Sequence, residues 1–121
     1  MDIMVVDDEE MVNRIFSQRL RKEIASGTLR LHFATRAEQA LQELEALHFD
    51  VALVLCDINM PGMGGLELLK RIRLQDLSLK IYMVSAYEGE DFRNRCLELG
   101  ADGFFPKPLE FSVLRALLDT L

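Results

Sequence analysis

This 121-residue sequence lacks the features that mark membrane proteins and secreted proteins. No apolar run approaches the roughly 20 residues needed to span a bilayer, which argues against a membrane protein. The segment after Met1 has no basic region and no cleavage site, so it is not typical of a secretory signal. With 50% apolar and 28% charged residues, the chain is predicted to be a cytoplasmic globular protein.

Positive charge and cysteine are also scarce. Lys and Arg total 14 against 20 Asp and Glu, which gives a net charge of −6. Because nucleic-acid binding depends on cationic neutralisation of phosphates, this charge argues against direct DNA contact by the chain. Cys56 and Cys96 lie far apart in the sequence and lack the spacing of metal ligands. We therefore expect two buried free thiols in a reducing cytosol.

Short apolar runs alternate with segments of helical periodicity along the whole chain. Five runs have the length and composition of strands, at residues 3–6, 29–33, 51–56, 81–84 and 103–105. Between and after them come five segments in which apolar residues recur at helical spacing. Five strands alternating with five helices predict an α/β fold with a parallel sheet, in one domain spanning residues 1–121.

The strand sequences also predict the order of the strands in the sheet. The first, third and fourth runs are almost continuously apolar, as expected when helices cover both faces of a sheet. The second run alternates apolar and polar residues, which is typical of a half-exposed edge. The fifth is short and runs into Pro106, which lacks an N–H, so it also suits an edge. Edges at strands two and five fit a flavodoxin-like doubly wound sheet of order 2-1-3-4-5, with helices on both faces.

Polar residues follow four of the five predicted strands. In such sheets ligands bind at the carboxyl ends of the strands, where these residues stand. They are Asp7 and Asp8 after the first strand, Asp57 after the third, Ser85 after the fourth and Lys107 after the fifth. Two carboxylates about 4 Å apart repel by roughly 4 kcal/mol at an effective dielectric of 20. Three carboxylates therefore need a cation or a proton among them. Because oxygen ligands favour Mg²⁺, the cluster predicts a metal-assisted phosphoryl site.

The residue types suggest a role for each member of this cluster. A carboxylate can attack phosphorus and form an aspartyl phosphate, and Asp57 is the best nucleophile candidate because it ends the central strand. Asp8 is predicted to bind the metal directly, with Asp7 nearby or acting through water, and the backbone carbonyl of Asn59 could also reach the metal. The side chains predicted to hold phosphoryl oxygens are those of Lys107 and Ser85.

These residues resemble the receiver domain of bacterial response regulators in two-component signal transduction, including the single-domain regulators of chemotaxis. The matching segments are VVDDE at 5–9, DINMPGMGG at 57–65, SA at 85–86 and KP at 107–108, and the resemblance covers essentially the whole chain. It implies that Asp57 accepts a phosphoryl group from a histidine kinase or a histidine phosphotransfer protein. The Mg²⁺ ligands it implies are Asp7, Asp8, Asp57 and the Asn59 carbonyl. The phosphoryl contacts it implies are Ser85 and Lys107.

The resemblance also implies how the signal is passed on. It implies a cis peptide between Lys107 and Pro108, and it places Phe104 at an aromatic position that changes rotamer when the Ser85 hydroxyl moves toward the phosphoryl group. Tyr87 stands at a position that tunes phosphoryl lifetime in the family. The face formed by the fourth helix, strand five and the fifth helix is then expected to control a partner or an attached output domain, and homodimers through this face are common in the family. The domain is expected to catalyse only its own phosphorylation and dephosphorylation.

The sequence also allows two functions of other classes. A haloacid-dehalogenase-like phosphatase would need a second Asp as acid and base, but Asn59 stands two residues after Asp57 and its amide cannot serve. A receiver-like interaction module that is never phosphorylated would usually lose an acidic ligand or the lysine, and this chain retains all of them. The sequence leaves open whether the chain is a complete regulator or a domain of a longer protein.

Overall fold

The computed structural model describes residues 1–86 and 89–121 as a parallel sheet with helices on both faces. The strands are β1 (Asp2–Val6), β2 (Arg30–Ala34), β3 (Leu53–Asp57), β4 (Ile81–Ser85) and β5 (Gly103–Pro106). The helices are α1 (Glu10–Arg19), α2 (Arg21–Ala25), α3 (Ala37–Ala46), α4 (Gly65–Gln75), α5 (Glu90–Glu98) and α6 (Phe111–Leu118). The strands pair in the order β2-β1-β3-β4-β5, which confirms the predicted flavodoxin-like sheet.

Two hydrophobic clusters hold the helices against the two faces of the sheet. One cluster packs α3, α4 and α5 on the sheet and includes Leu69 and Cys96. The other packs α1 and α6 on the opposite face and includes Phe16 and Leu114. β3 is buried at every position, because it lies in the middle of the sheet and contributes side chains to both clusters. None of the helices formed by residues 1–86 and 89–121 is long and apolar enough to cross a membrane.

The two edge strands have the features predicted for them. In β2 only Ala34 is fully buried, in agreement with its alternating sequence. In β5 the N–H of Lys107 donates to the carbonyl of Ser85 at 3.0 Å. Because successive residues of a strand direct their backbone groups to opposite sides, the nitrogen of Pro106 faces the open edge of the sheet. The missing N–H therefore costs no hydrogen bond between strands, which is why proline is tolerated on edge strands.

The first helical segment is divided, so the described residues form six helices and the predicted number of five is wrong. Leu20, with φ −105° and ψ 17°, separates α1 from α2. The guanidinium of Arg115 on α6 donates to the carbonyl of Arg19 at 2.5 Å and to the carboxylate of Glu23 at 3.2 Å. Arg115, from a distant part of the sequence, thus contacts both helices where they meet.

Both cysteines are buried free thiols, as predicted. Burial raises the pKa of the Cys56 thiol far above its ordinary value, and the nearby charge of Asp57 raises it further. Burial also raises the pKa of Cys96. Because the thiolate is the reactive species, neither cysteine should react readily in the folded domain.

We therefore expect native protein treated with iodoacetamide at pH 8 to remain unmodified, while protein unfolded in urea is modified at both thiols. Intact mass measured over a time course checks this. Modification of either thiol in native protein at the rate seen in urea would show that the thiols are accessible in the fold.

Candidate functional site

The carboxyl ends of β1 and β3 bring three carboxylates together. Val6 pairs with Cys56 in the sheet, so the next residues, Asp7 and Asp57, emerge side by side. Asp7, Asp8 and Asp57 each place a carboxylate oxygen within 4.8 Å of the others. Asp7 and Asp57 are 4% and 5% exposed, whereas Asp8 is exposed to solvent. The site is therefore a partly buried acidic cluster that is open to solvent at Asp8.

Lys107 connects the two buried carboxylates. Its Nζ lies 3.1 Å from Oδ1 of Asp57 and 3.5 Å from Oδ2 of Asp7. The other oxygen of Asp7 accepts a hydrogen bond of 2.9 Å from the backbone N–H of Glu9. Both oxygens of Asp7 are thus held by protein groups, while Asp8 presents its carboxylate to solvent.

The buried carboxylate and the lysine perturb each other's protonation. Burial raises the pKa of Asp57, the contact with Lys107 lowers it, and the charges of Asp7 and Asp8 raise it again, so the overall shift is upward. Burial alone would lower the pKa of Lys107, but the bond to Asp57 and the two nearby charges outweigh burial and raise it. Lys107 therefore stays cationic at neutral pH. One positive charge against three carboxylates leaves the cluster suited to a divalent cation.

The amino terminus of α4 packs directly on the backbone that carries Asp57. The N–H of Gly65 donates to the carbonyl of Ile58 at 3.0 Å. A Cβ at Gly65 would clash with the carbonyl oxygen of Asp57 and lie 2.8 Å from the Cα of Ile58. Sequence periodicity places Gly65 on a helix face but gives no sign of this contact. The close approach requires glycine and fixes the position of the Asp57 backbone.

We expect Gly65→Ala to lower the free energy of unfolding by about 2 kcal/mol, because overpacking against a rigid backbone forces strand and helix apart. Gly64→Ala is the matched control, since a Cβ there would meet only the carbonyl oxygen of Ile58 at 3.5 Å, which is an ordinary contact. Urea unfolding of both variants checks the prediction. Equal losses of stability would mean that the close approach at Gly65 has no special importance.

Ser85 and Lys107 lie at neighbouring strand ends. Ser85 is buried at the end of β4, and its carbonyl accepts the hydrogen bond from the backbone of Lys107. The peptide between Lys107 and Pro108 is cis, as the resemblance implies. Asn59 is exposed in the loop that follows β3.

Phe104 lies on β5 and packs toward α5. Its ring meets that of Phe92 edge-on, with centroids 6.3 Å apart, and the guanidinium of Arg93 lies 5.3 Å from its centroid. Phe104 is half-buried against the cluster of α3, α4 and α5. Tyr87, to which the resemblance gives a role in phosphoryl lifetime, lies outside the described residues.

Comparisons with known proteins agree with this fold. The family model of the response regulator receiver domain matches residues 3–119, and the chain belongs to this family. It is 32% identical over 115 residues to a cyclic di-GMP phosphodiesterase of Thermotoga maritima, covering 95% of this chain and 29% of that protein. It is 40% identical over 111 residues to a protein-glutamate methylesterase/protein-glutamine glutaminase of Bacillus licheniformis, covering 88% and 29%. The structure of chemotaxis protein CheY4 of Vibrio cholerae shares the fold, with a TM-score of 0.84, 23% identity, and coverage of 99% of this chain and 98% of that one.

The chain is thus a receiver domain of the kind found in two-component response regulators. The acidic cluster of Asp7, Asp8 and Asp57 fits the phosphoacceptor site of such domains. Receiver domains interact with histidine kinases and with output domains. The chain spans about half or less of the length of curated relatives such as these. Several of those relatives are enzymes of which the matching segment is a minor part.

Proposed function

We propose that Asp57 is the phosphoacceptor of this receiver domain and takes its phosphoryl group from a histidine kinase or a histidine phosphotransfer protein. The observation that carries the proposal is the position of Asp57, which is a buried carboxylate at the end of the central strand. It contacts Lys107 at 3.1 Å and lies beside two further carboxylates. An interaction module that is never phosphorylated would have no need of this charge arrangement, so that alternative is not favoured.

In the proposed reaction, a carboxylate oxygen of Asp57 attacks the phosphorus of a phosphohistidine. The new P–O bond forms as the P–N bond breaks, and the imidazole nitrogen keeps the electron pair and takes a proton from solvent. Lys107 Nζ neutralises charge on the transferred group, and the Ser85 hydroxyl donates to a phosphoryl oxygen. Attack by water on the same phosphorus releases inorganic phosphate and restores the carboxylate. Under this proposal the domain catalyses only its own phosphorylation and dephosphorylation.

The donor set suits Mg²⁺, since three carboxylates share a site with one lysine. Asp8 would hold the ion directly, because its carboxylate is exposed while both oxygens of Asp7 have protein partners. The remaining oxygen donors would be Asp7, Asp57 and the Asn59 carbonyl. When bound, Mg²⁺ would supply positive charge to the phosphoryl oxygens.

We propose that the signal leaves the domain through the face formed by α5, β5 and α6. These two helices are the fourth and fifth helices predicted from the sequence. Phosphorylation would draw Ser85 toward the new oxygens and allow Phe104 to leave its contacts with Phe92 and Arg93. The altered face would control a downstream protein or an attached output domain, and it could also pair two copies. We place the whole domain, residues 1–121, in the cytoplasm, where a histidine kinase would present its phosphohistidine.

The test is incubation with acetyl phosphate, with and without Mg²⁺, followed by intact mass. We expect one phosphoryl adduct in the parent and in Asp50→Asn, a matched control at an exposed aspartate, and none in Asp57→Asn. The adduct should require Mg²⁺. An equal adduct in Asp57→Asn would refute the assignment, and the absence of an adduct together with the absence of Mg²⁺ binding would favour the interaction module.

A further inference from the structure

Arg93 is an exposed cation on α5 that contacts an aromatic ring rather than a carboxylate. Its guanidinium lies over the ring of Phe104, 5.3 Å from the centroid. Within residues 1–86 and 89–121 it has no ion-pair partner. By contrast, Arg95 lies two residues further along the same helix and pairs with Glu98 at 3.9 Å. The described contact of the Arg93 side chain is therefore the one with Phe104.

Phe104 is held on the α5 side of β5 by two consecutive residues of that helix. The guanidinium of Arg93 lies over the ring, where the negative face of the π-system attracts a cation. The ring of Phe92 meets it edge-on, with centroids 6.3 Å apart. Because Phe104 is only half-buried, these two contacts on its outer side help to determine where the ring lies.

The ring of Phe104 lies on the same face of the sheet as Ser85. Phe104 pairs with Met83 and Pro106 pairs with Ser85 in the parallel register of β4 and β5. Paired residues of adjacent strands face the same side, and so do residues two apart on one strand, so Met83, Ser85 and Phe104 share one face. The N–H of Lys107 also donates to the carbonyl of Ser85 at 3.0 Å. A short segment of β5 therefore connects the acidic cluster to the ring.

The same conformation contains a direct contact between Lys107 and the carboxylate of Asp57. Nζ of Lys107 lies 3.1 Å from Oδ1 of Asp57, so the contact of Arg93 with Phe104 coexists with an unmodified Asp57. A contact that is made in one of two conformations and lost in the other favours the first. The contact between Arg93 and Phe104 is thus placed to affect the response of the site.

We propose that Arg93 is a positioning residue that holds Phe104 in the resting conformation and so opposes the switch. This inference rests on the proposed function, in which Phe104 leaves Arg93 after phosphorylation. By linkage, removing the guanidinium raises the affinity of the site for a phosphoryl group by the factor that the contact contributes to the resting conformation. At an exposed site a contact of this kind corresponds to about a two- to fivefold change.

The test is binding of beryllofluoride, a stable mimic of the phosphoryl group, measured by calorimetry in the presence of Mg²⁺. We expect Arg93→Ala to bind it about two to five times more tightly than the parent. Arg95→Ala is the matched control on the same helix and should bind like the parent, since Arg95 pairs with Glu98. In a Phe104→Leu background, Arg93→Ala should have no further effect, because its partner is gone.

NMR of the Arg93 side chain provides a second readout that a purely structural role would not change. The Nε–H resonance of Arg93 should show the ring-current shift of Phe104 in the parent, and it should lose that shift in Phe104→Leu and on addition of beryllofluoride. A parent that does not bind beryllofluoride would overturn the proposed function together with this inference. A parent that binds, with equal or weaker binding by Arg93→Ala or with an Arg93 resonance that beryllofluoride leaves unchanged, would overturn the role of Arg93 alone.

Discussion

Lys107→Ala is expected to slow phosphorylation of Asp57 by acetyl phosphate roughly 10²–10³-fold, the usual loss for one group that stabilises developing charge. Lys107 is the cation found in contact with both buried carboxylates. Without it, the positive charge of the lysine no longer offsets the repulsion between Asp7 and Asp57. Phosphorylation rates measured from intact mass over a time course check the prediction, with Lys80→Ala as the control at an exposed lysine.

The same variant should change the pH dependence of phosphorylation. In the proposed reaction Asp57 attacks as the carboxylate, and Lys107 lowers the pKa of Asp57 against the upward effect of burial. Removing the lysine therefore raises that pKa further, so the acid limb of the rate profile should move to higher pH. An unchanged profile with an unchanged rate would mean that the contact between Lys107 and Asp57 has no part in the chemistry.

Arg73→Ala is expected to lower the free energy of unfolding by about 3 kcal/mol, because it leaves two partly buried carbonyl groups without their charged hydrogen-bond donor. Arg73 is 12% exposed. Its guanidinium donates to the carbonyls of Leu79 and Gly100 at 2.7 and 2.8 Å and to Asp102 at 2.9 Å. These bonds join the end of α4 to the segments that lead into β4 and β5.

Arg71→Ala is the matched control for Arg73, two residues earlier on the same helix. Arg71 is exposed and pairs only with Glu67, at 3.2 Å, among the described residues. Such a pair contributes about 0.3–0.5 kcal/mol, so its loss should be small. Urea unfolding of the two variants gives the comparison directly. Similar losses of stability would contradict the proposed bracing role of Arg73.

The sheet could be predicted from the sequence because its strands differ in pattern. Continuous apolar runs mark strands covered on both faces, and the alternation in β2 and the proline in β5 mark the edges. The clustering of Asp7, Asp8 and Asp57 was also predictable, because the carboxyl ends of neighbouring parallel strands lie side by side at one end of the sheet.

Features that depend on contacts between distant residues could not be predicted. At the division of the first helix, the carbonyl of Arg19 contacts Arg115, which lies 96 residues away in the sequence. The need for glycine at position 65 arises only when α4 packs on the backbone of Asp57. No local pattern encodes either contact, because each depends on how separate elements pack.

Peptide sequencing that locates the phosphoryl group is the most direct test of Asp57 as the phosphoacceptor. Protein phosphorylated with acetyl phosphate and Mg²⁺ is reduced with borohydride, which converts an aspartyl phosphate to homoserine, and is then digested and sequenced by mass spectrometry. We expect homoserine at position 57 alone. Modification at Asp7, Asp8 or Asp50 with Asp57 unmodified would contradict it.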